Sequence, residues 1–200
     1  MPVTAVVVDI GGVLEITEPR PLLDLWEPRF GLDRGELVER TRHVWRDGAV
    51  GAINEAQVHS ALRALLDAEP ALVDEFLADI WVDYLGTLNT GLYAFLRELR
   101  PRYRTGIISN SFVGAREREQ ELYRFDEITD VIVYSHEVGM EKPDPRIYRL
   151  ACERLGVRPE EAVFLDDVPE AVEGARQVGM HGVVFQDNDQ AVAAIEALLA

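Results

Sequence analysis

The chain has 200 residues, enough to bury a real core as one domain or as one domain with a modest insertion, and too few for several large modules. Its composition, 48% hydrophobic and 28% charged, is that of a globular protein. A net charge of −16 at pH 7 argues against nonspecific nucleic-acid or anionic-membrane partners, because a polyanion is repelled at long range, so an anionic substrate must meet a local positive patch.

Residues 4–14, TAVVVDIGGVL, join a short β-branched run to an acid and two glycines, the pattern of a buried strand feeding a tight loop. Asp9 interrupts this stretch and no basic lead-in precedes it, so it does not read as a secretory signal, and no run of 18 apolar residues predicts a membrane span. Helices are expected near 21–30, 33–46, 54–68 and 71–85, with Gly31, the 48–51 stretch and Pro70 as punctuation and no convincing strand between 15 and 88. From residue 90 a helix (90–100), RTGIIS (104–109), a charged helix (113–123), DVIVYS (130–135) and a helix (145–156) follow in order. AVFLDD (162–167), a helix (169–178), HGVVF (181–185) and a final helix (188–199) complete the pattern. Strands alternating with helices predict an α/β fold with a five-stranded parallel sheet. The expected division is a core of residues 1–14 and 89–200 with a small all-α cap of residues 15–88 inserted after the first strand. Two crossings, at 15–21 and 87–91, make a hinge. One cysteine, Cys152, excludes an intrachain disulfide and a cysteine-rich metal site and fits a reducing, cytoplasmic setting.

In an open parallel sheet, ligands bind beyond the carboxyl ends of the strands, so residues ending separate strands converge although they are far apart in sequence. Those ends carry Asp9, Ser109, Ser135, Asp166 and Asp167, and the loops beyond them add Gly11, Asn110 and Lys142. A hard cation such as Mg²⁺ takes oxygen ligands in near-octahedral geometry, which Asp9, Asp166 and a backbone carbonyl can supply with places left for water and phosphate.

The segments VVVDIGGVL, GIISNS, MEKPDPRIY and VFLDDVPEAVEGARQVGM resemble the four ordered motifs of the haloacid dehalogenase superfamily, and the resemblance spans the whole chain. It implies a Rossmann-like core, with the helical insertion standing where that superfamily carries a cap. It also implies that Asp9 is a nucleophile forming an aspartyl-phosphate, with Ser109, Asn110 and Lys142 around the phosphate. Asp9, the Gly11 carbonyl, Asp166 and Asp167 would hold Mg²⁺, Asp167 through water or by orienting a ligand. Lys142 and the cation are needed because a carboxylate attacking an anionic phosphate is repelled until charge is neutralised. The function so implied is a Mg²⁺-dependent hydrolase, foremost a phosphatase of small phosphorylated metabolites.

One position departs from the family pattern. Most phosphatases of the superfamily carry a second aspartate two residues after the nucleophile, which protonates the leaving oxygen and later activates water; this chain has Gly11. A general acid or base contributes roughly 10²- to 10⁴-fold. Three readings stay open: a slow phosphatase, or one in which Glu15 or His43 replaces the acid; a 2-haloacid dehalogenase-type hydrolase, in which Asp9 attacks carbon without a metal; and a non-catalytic phosphate-binding or interaction protein. In the cap, Arg42 and Arg46 at i,i+4 spacing either present a positive face to an anionic substrate or, the favoured reading, pair with Glu39 and its neighbours, while Trp26, Trp45 and Trp81 sit at packing positions. Ser135 and His136 read either as supporting the site residues or as structural. The expected partner is a small phosphorylated substrate, with no nucleic acid, no membrane and oligomeric state open.

Overall fold

The computed structural model describes residues 2–18 and 20–200; residue 19, within the first expected crossing, and residue 1 lie outside the described residues. The chain starts with β1 (Ala5–Val8), a tight loop and β2 (Glu15–Ile16). Four helices follow, α1 (Leu22–Arg29), α2 (Glu36–Ala49), α3 (Glu55–Leu66) and α4 (Pro70–Leu85), and then β3 (Thr87–Leu88). From there helices and strands alternate: α5 (Thr90–Leu99), β4 (Arg104–Ser109), α6 (Ala115–Tyr123), β5 (Val131–Tyr134) and the single turn α7 (Ser135–Val138). The chain ends with α8 (Pro145–Leu155), β6 (Ala162–Asp166), α9 (Pro169–Gln177), β7 (His181–Val184) and α10 (Asn188–Leu199).

Five strands form one parallel sheet in the order β5-β4-β1-β6-β7, the Rossmann-like α/β core expected from the strand–helix alternation. β1 lies at its centre with every residue buried, which is why its sequence is an unbroken apolar run rather than an alternating one. Because successive side chains point to opposite faces, Val6 and Val8 join a core layer with Leu92, Leu96 and Ile195. Ala5 and Val7 join the opposite layer with Ile147, Tyr148 and Ala171. In register, Val8 lies beside Ile107 of β4 and Leu165 of β6, which brings Asp9, Ser109 and Asp166 to the same edge of the sheet.

The helices α1–α4 pack around an apolar cluster of their own that includes Trp26, Leu37, Val44, Leu62 and Phe76. Asn54 opens α3 with a reciprocal capping box to Gln57, satisfying two backbone donors that a helix start leaves unpaired. Two core residues, Phe112 and Val113, also enter this cluster. The three tryptophans are packing residues: the ring of Trp26 lies 5.2 Å from Phe76, and those of Trp45 and Trp81 lie 5.4 and 6.3 Å from Phe112.

Three local readings of the sequence are corrected. The segment without strands contains parts of a two-stranded antiparallel ribbon, Glu15 opposite Leu88 and Ile16 opposite Thr87, which ties the two crossings together. Two residues per strand carry no readable period, and the pairing joins distant parts of the chain. The second helix runs to Ala49 rather than 46, because Gly48 stays helical where a Cβ would fall 2.2 Å from the Phe112 ring. β5 ends at Tyr134, and Ser135 opens α7 instead of closing the strand. No helix among the described residues is long and apolar enough to cross a membrane.

Candidate active site

Asp9 follows β1 directly, its N–H bonded to Leu165 O at 2.9 Å, and is 7% exposed. The loop after it turns at Gly12, whose φ of +73° belongs to the left-handed region. Glycine is also required there for space, since a Cβ would fall 2.3 Å from Asp167 Oδ2. Gly11 differs: it is exposed, and a Cβ added there meets nothing within 4 Å.

Lys142, the only lysine in the sequence, bridges two carboxylates with Nζ 2.7 Å from Asp9 Oδ1 and 2.6 Å from Asp166 Oδ2. It arrives from a loop before α8 and is fixed by Asn110, whose side chain accepts from the Lys142 N–H at 2.7 Å and donates to the Lys142 carbonyl at 2.9 Å. The Asn110 amide is therefore engaged with the lysine backbone. Ser109 is buried at the end of β4. Asp166 is fully buried, its second oxygen accepting from the Val168 N–H at 2.8 Å, and Asp167 is exposed beside it. The site residues read from the sequence thus gather at the carboxyl edge of the sheet, with the Ser109–Asn110 loop joined to Lys142.

Asp9, Asp166 and Asp167 each present a carboxylate oxygen within 4.8 Å of the others. Three carboxylates share one ammonium, leaving two formal negative charges that match a divalent cation, and an all-oxygen donor set suits a hard one. Burial, opposed by Lys142 and reinforced by Asp166, raises the Asp9 pKa to about 7. Burial followed by Asp166 also raises Asp167. A cation in this cluster favours the ionised carboxylates.

A second acidic group, unread in the sequence apart from Glu15, lies close by. Glu15 is 1% exposed and Glu119 fully buried; one oxygen of each is buried without a hydrogen-bond partner. The hydroxyl of Tyr134 donates to the other Glu119 oxygen. Burial, Glu119 and Asp9 push the Glu15 carboxyl up to about 10, so it is protonated at neutral pH. Its ordinary value is 4.5, so folding takes up a proton between those values and this contribution to stability is lost as pH rises from about 4.5 towards 10. Chemical denaturation from pH 6 to 9 is expected to show wild-type stability falling more steeply than that of Glu15→Gln, by up to about 1.4 kcal/mol per pH unit. Parallel slopes would mean that Glu15 is ionised in the fold. The cluster joins β2, β5 and α6, and only the tertiary arrangement reveals it.

The other sequence candidates lie elsewhere. His43 is exposed on α2. The positive face of that helix is partly neutralised by its own neighbours, Arg42 lying 3.9 Å from Glu39 and Arg46 2.8 Å from Asp47. His136 lies nearer the core, its Nδ1 2.6 Å from Ser111 Oγ, and burial holds its pKa below the ordinary histidine value.

A five-stranded parallel sheet whose carboxyl edge carries a buried aspartate, a bridging lysine and a cluster of three carboxylates defines a Rossmann-like α/β core with a candidate cation site at that edge. The haloacid dehalogenase-like hydrolase model matches residues 3–179, and the chain belongs to that family. It is 27% identical to bifunctional epoxide hydrolase 2 from Sus scrofa over 98% of this chain and 39% of that protein. It is 37% identical to a phosphatase from Mycobacterium tuberculosis over 48% of this chain and 45% of that one. The chain thus spans less than half the length of these relatives. Among solved structures, a HAD family enzyme from Bacteroides thetaiotaomicron in complex with magnesium and inorganic phosphate superposes with a TM-score of 0.78 at 20% identity, covering 92% of this chain and 94% of that one.

Proposed function

We propose that the protein is a Mg²⁺-dependent phosphatase of small phosphorylated metabolites, acting through an aspartyl-phosphate at Asp9. The observation that carries this reading is the Asp9–Lys142–Asp166 bridge, with distances of 2.7 and 2.6 Å, beside a third carboxylate at the sheet edge. Asp9, Asp166, Asp167 and the Gly11 carbonyl would hold Mg²⁺, which supplies charge neutralisation and a template for phosphoryl oxygens. Lys142 opposes the burial that raises the Asp9 pKa and, together with a bound cation, would favour the ionised, nucleophilic carboxylate; it also faces the phosphoryl charge, with Ser109 and Asn110 completing the phosphate cradle. Asn110 does so by fixing the Lys142 backbone. Residues 1–14 and 89–200 form the catalytic core and 15–88 a cap that excludes water and selects the substrate. Support comes also from relatives named as phosphatases, including a phosphorylated carbohydrates phosphatase from Thermotoga maritima.

With Gly11 in place of an acid, the leaving group must depart largely unassisted. Aryl and acyl phosphates are therefore expected to turn over at least about 10²-fold faster than alkyl phosphates, all turnover being lost in EDTA and restored by Mg²⁺. A panel of esters graded by leaving-group pKa measures this. A flat dependence would show that another residue supplies the proton. Release of halide from 2-chloropropionate in EDTA would select carbon–halogen cleavage, and binding of orthophosphate without turnover of any ester would select a phosphate-binding protein.

A further inference from the structure

The helices α1–α4 meet the core along a seam beside the loop that follows β4. Ser135, the first residue of α7, is fully buried there, and its hydroxyl makes two bonds to different parts of the molecule. It donates to the Ala49 carbonyl at the end of α2 at 2.8 Å and accepts from the Ser111 N–H at 2.8 Å. The two surfaces touch without intervening side chains: a Cβ on Gly51 would fall 1.9 Å from the His136 carbonyl oxygen. The loop itself is shared. Ser109 and Asn110 belong to the candidate phosphate cradle, whereas Phe112 leaves the core to pack in the helical cluster, its ring 5.4 Å from that of Trp45.

We infer that Ser135 is a positioning residue that couples the seating of the helical segment to the affinity of the site for a phosphate group; this rests on the phosphatase reading above. The hydroxyl has one proton and three acceptors within reach, Ala49 O at 2.8 Å and, on Ser111, the carbonyl at 3.3 Å and Oγ at 3.5 Å. With the segment seated, the proton goes to Ala49 and a lone pair of Ser135 Oγ receives the Ser111 N–H, holding the loop two residues beyond Ser109. With the segment lifted, Ala49 leaves and the hydroxyl loses the partner that fixes its proton, so it reorients towards Ser111 and its hold on the Ser111 N–H weakens. A phosphate group that orders Ser109 and Asn110 favours the first arrangement. By linkage, the seated segment then favours phosphate by the same factor.

The test uses the full chain with Mg²⁺ and orthophosphate as the probe, read by calorimetry and by hydrogen exchange of amides 47–53. Ser135→Ala is expected to weaken orthophosphate binding by about 5- to 30-fold, with Ser135→Thr restoring it to within about threefold. Gly51→Ala touches neither Ser135 nor the phosphate cradle, but its φ of +68° and the clash with His136 disfavour seating, so it is expected to weaken orthophosphate to a similar extent. Orthophosphate is expected to slow exchange at 47–53 in the wild type and not in Ser135→Ala. A merely structural serine would lower Tm and leave the affinity unchanged. Wild-type affinity in Ser135→Ala, or equal protection of 47–53 in both proteins, overturns the inference alone. Absence of orthophosphate binding by the wild type overturns the phosphatase reading together with it.

Discussion

Asp9→Asn is expected to reduce turnover of even the best aryl phosphate by at least about 10³-fold, a loss of the kind that follows removal of a nucleophile. The substitution is nearly isosteric. It retains the buried side chain at the end of β1 while replacing the carboxylate that attacks phosphorus with an amide that does not. Lys142 keeps Asp166 at 2.6 Å as a partner, so the ammonium is not left alone in the interior. A Tm measured beside the kinetics separates lost chemistry from lost fold. The same variant controls for the covalent step: after a pulse of aryl phosphate, intact-mass measurement is expected to find phosphorylated wild-type protein and none in Asp9→Asn. The adduct should persist, because no carboxylate at position 11 activates the water that hydrolyses it. Turnover retained within tenfold of wild type would place the nucleophile elsewhere and end the phosphatase mechanism proposed here.

Gly11→Asp is expected to act in the opposite direction, raising turnover of alkyl phosphates by about 10²- to 10⁴-fold while changing that of aryl phosphates far less. Position 11 is exposed and has room for a Cβ. A Cβ at position 11 meets nothing within 4 Å and the backbone there is outside the left-handed region, in contrast to Gly12, where a Cβ would collide with Asp167. A carboxylic acid two residues beyond Asp9 can protonate a poor leaving oxygen, which an aryl oxide does not need, and then serve as base for hydrolysis of the phospho-Asp9. Steady-state kinetics on a matched alkyl and aryl pair reads the difference, and the lifetime of the adduct should shorten in parallel. If alkyl turnover stays at the wild-type level while aryl turnover is intact, the loop does not bring position 11 to the leaving oxygen.

Much of this molecule is legible in one dimension. The apolar runs at 5–8, 104–109, 131–134, 162–166 and 181–184 are short, buried and separated by helical periods, and burial on both faces of a parallel sheet writes itself into the sequence as that pattern. Asp9, Ser109 and Asp166 could be assigned to strand ends because each closes such a run. The period says which residues are buried, but not which buried residues meet.

Where the reading stopped, the cause was distance along the chain. The β2–β3 ribbon pairs Glu15 with Leu88, and two-residue strands leave no repeat to detect. Ser135 looked like the end of a strand, yet its hydroxyl bonds Ala49, on a helix formed from a distant part of the chain. Nothing local marks Glu119, and Glu15 stands out only as a candidate acid; α6 and the ribbon enclose both, and loss of water then favours the neutral carboxyl. Local side-chain pattern is enough to give the five core strands with the helices between them, the family resemblance and the chemical groups that end those strands. Tertiary structure decided that one lysine stands between Asp9 and Asp166, that Asn110 grips its backbone and that the helical segment is tied to the loop beside the site. Ion pairing and hydrogen bonding act over a few ångströms in space, and only the packed sheet and helices bring those atoms within that range.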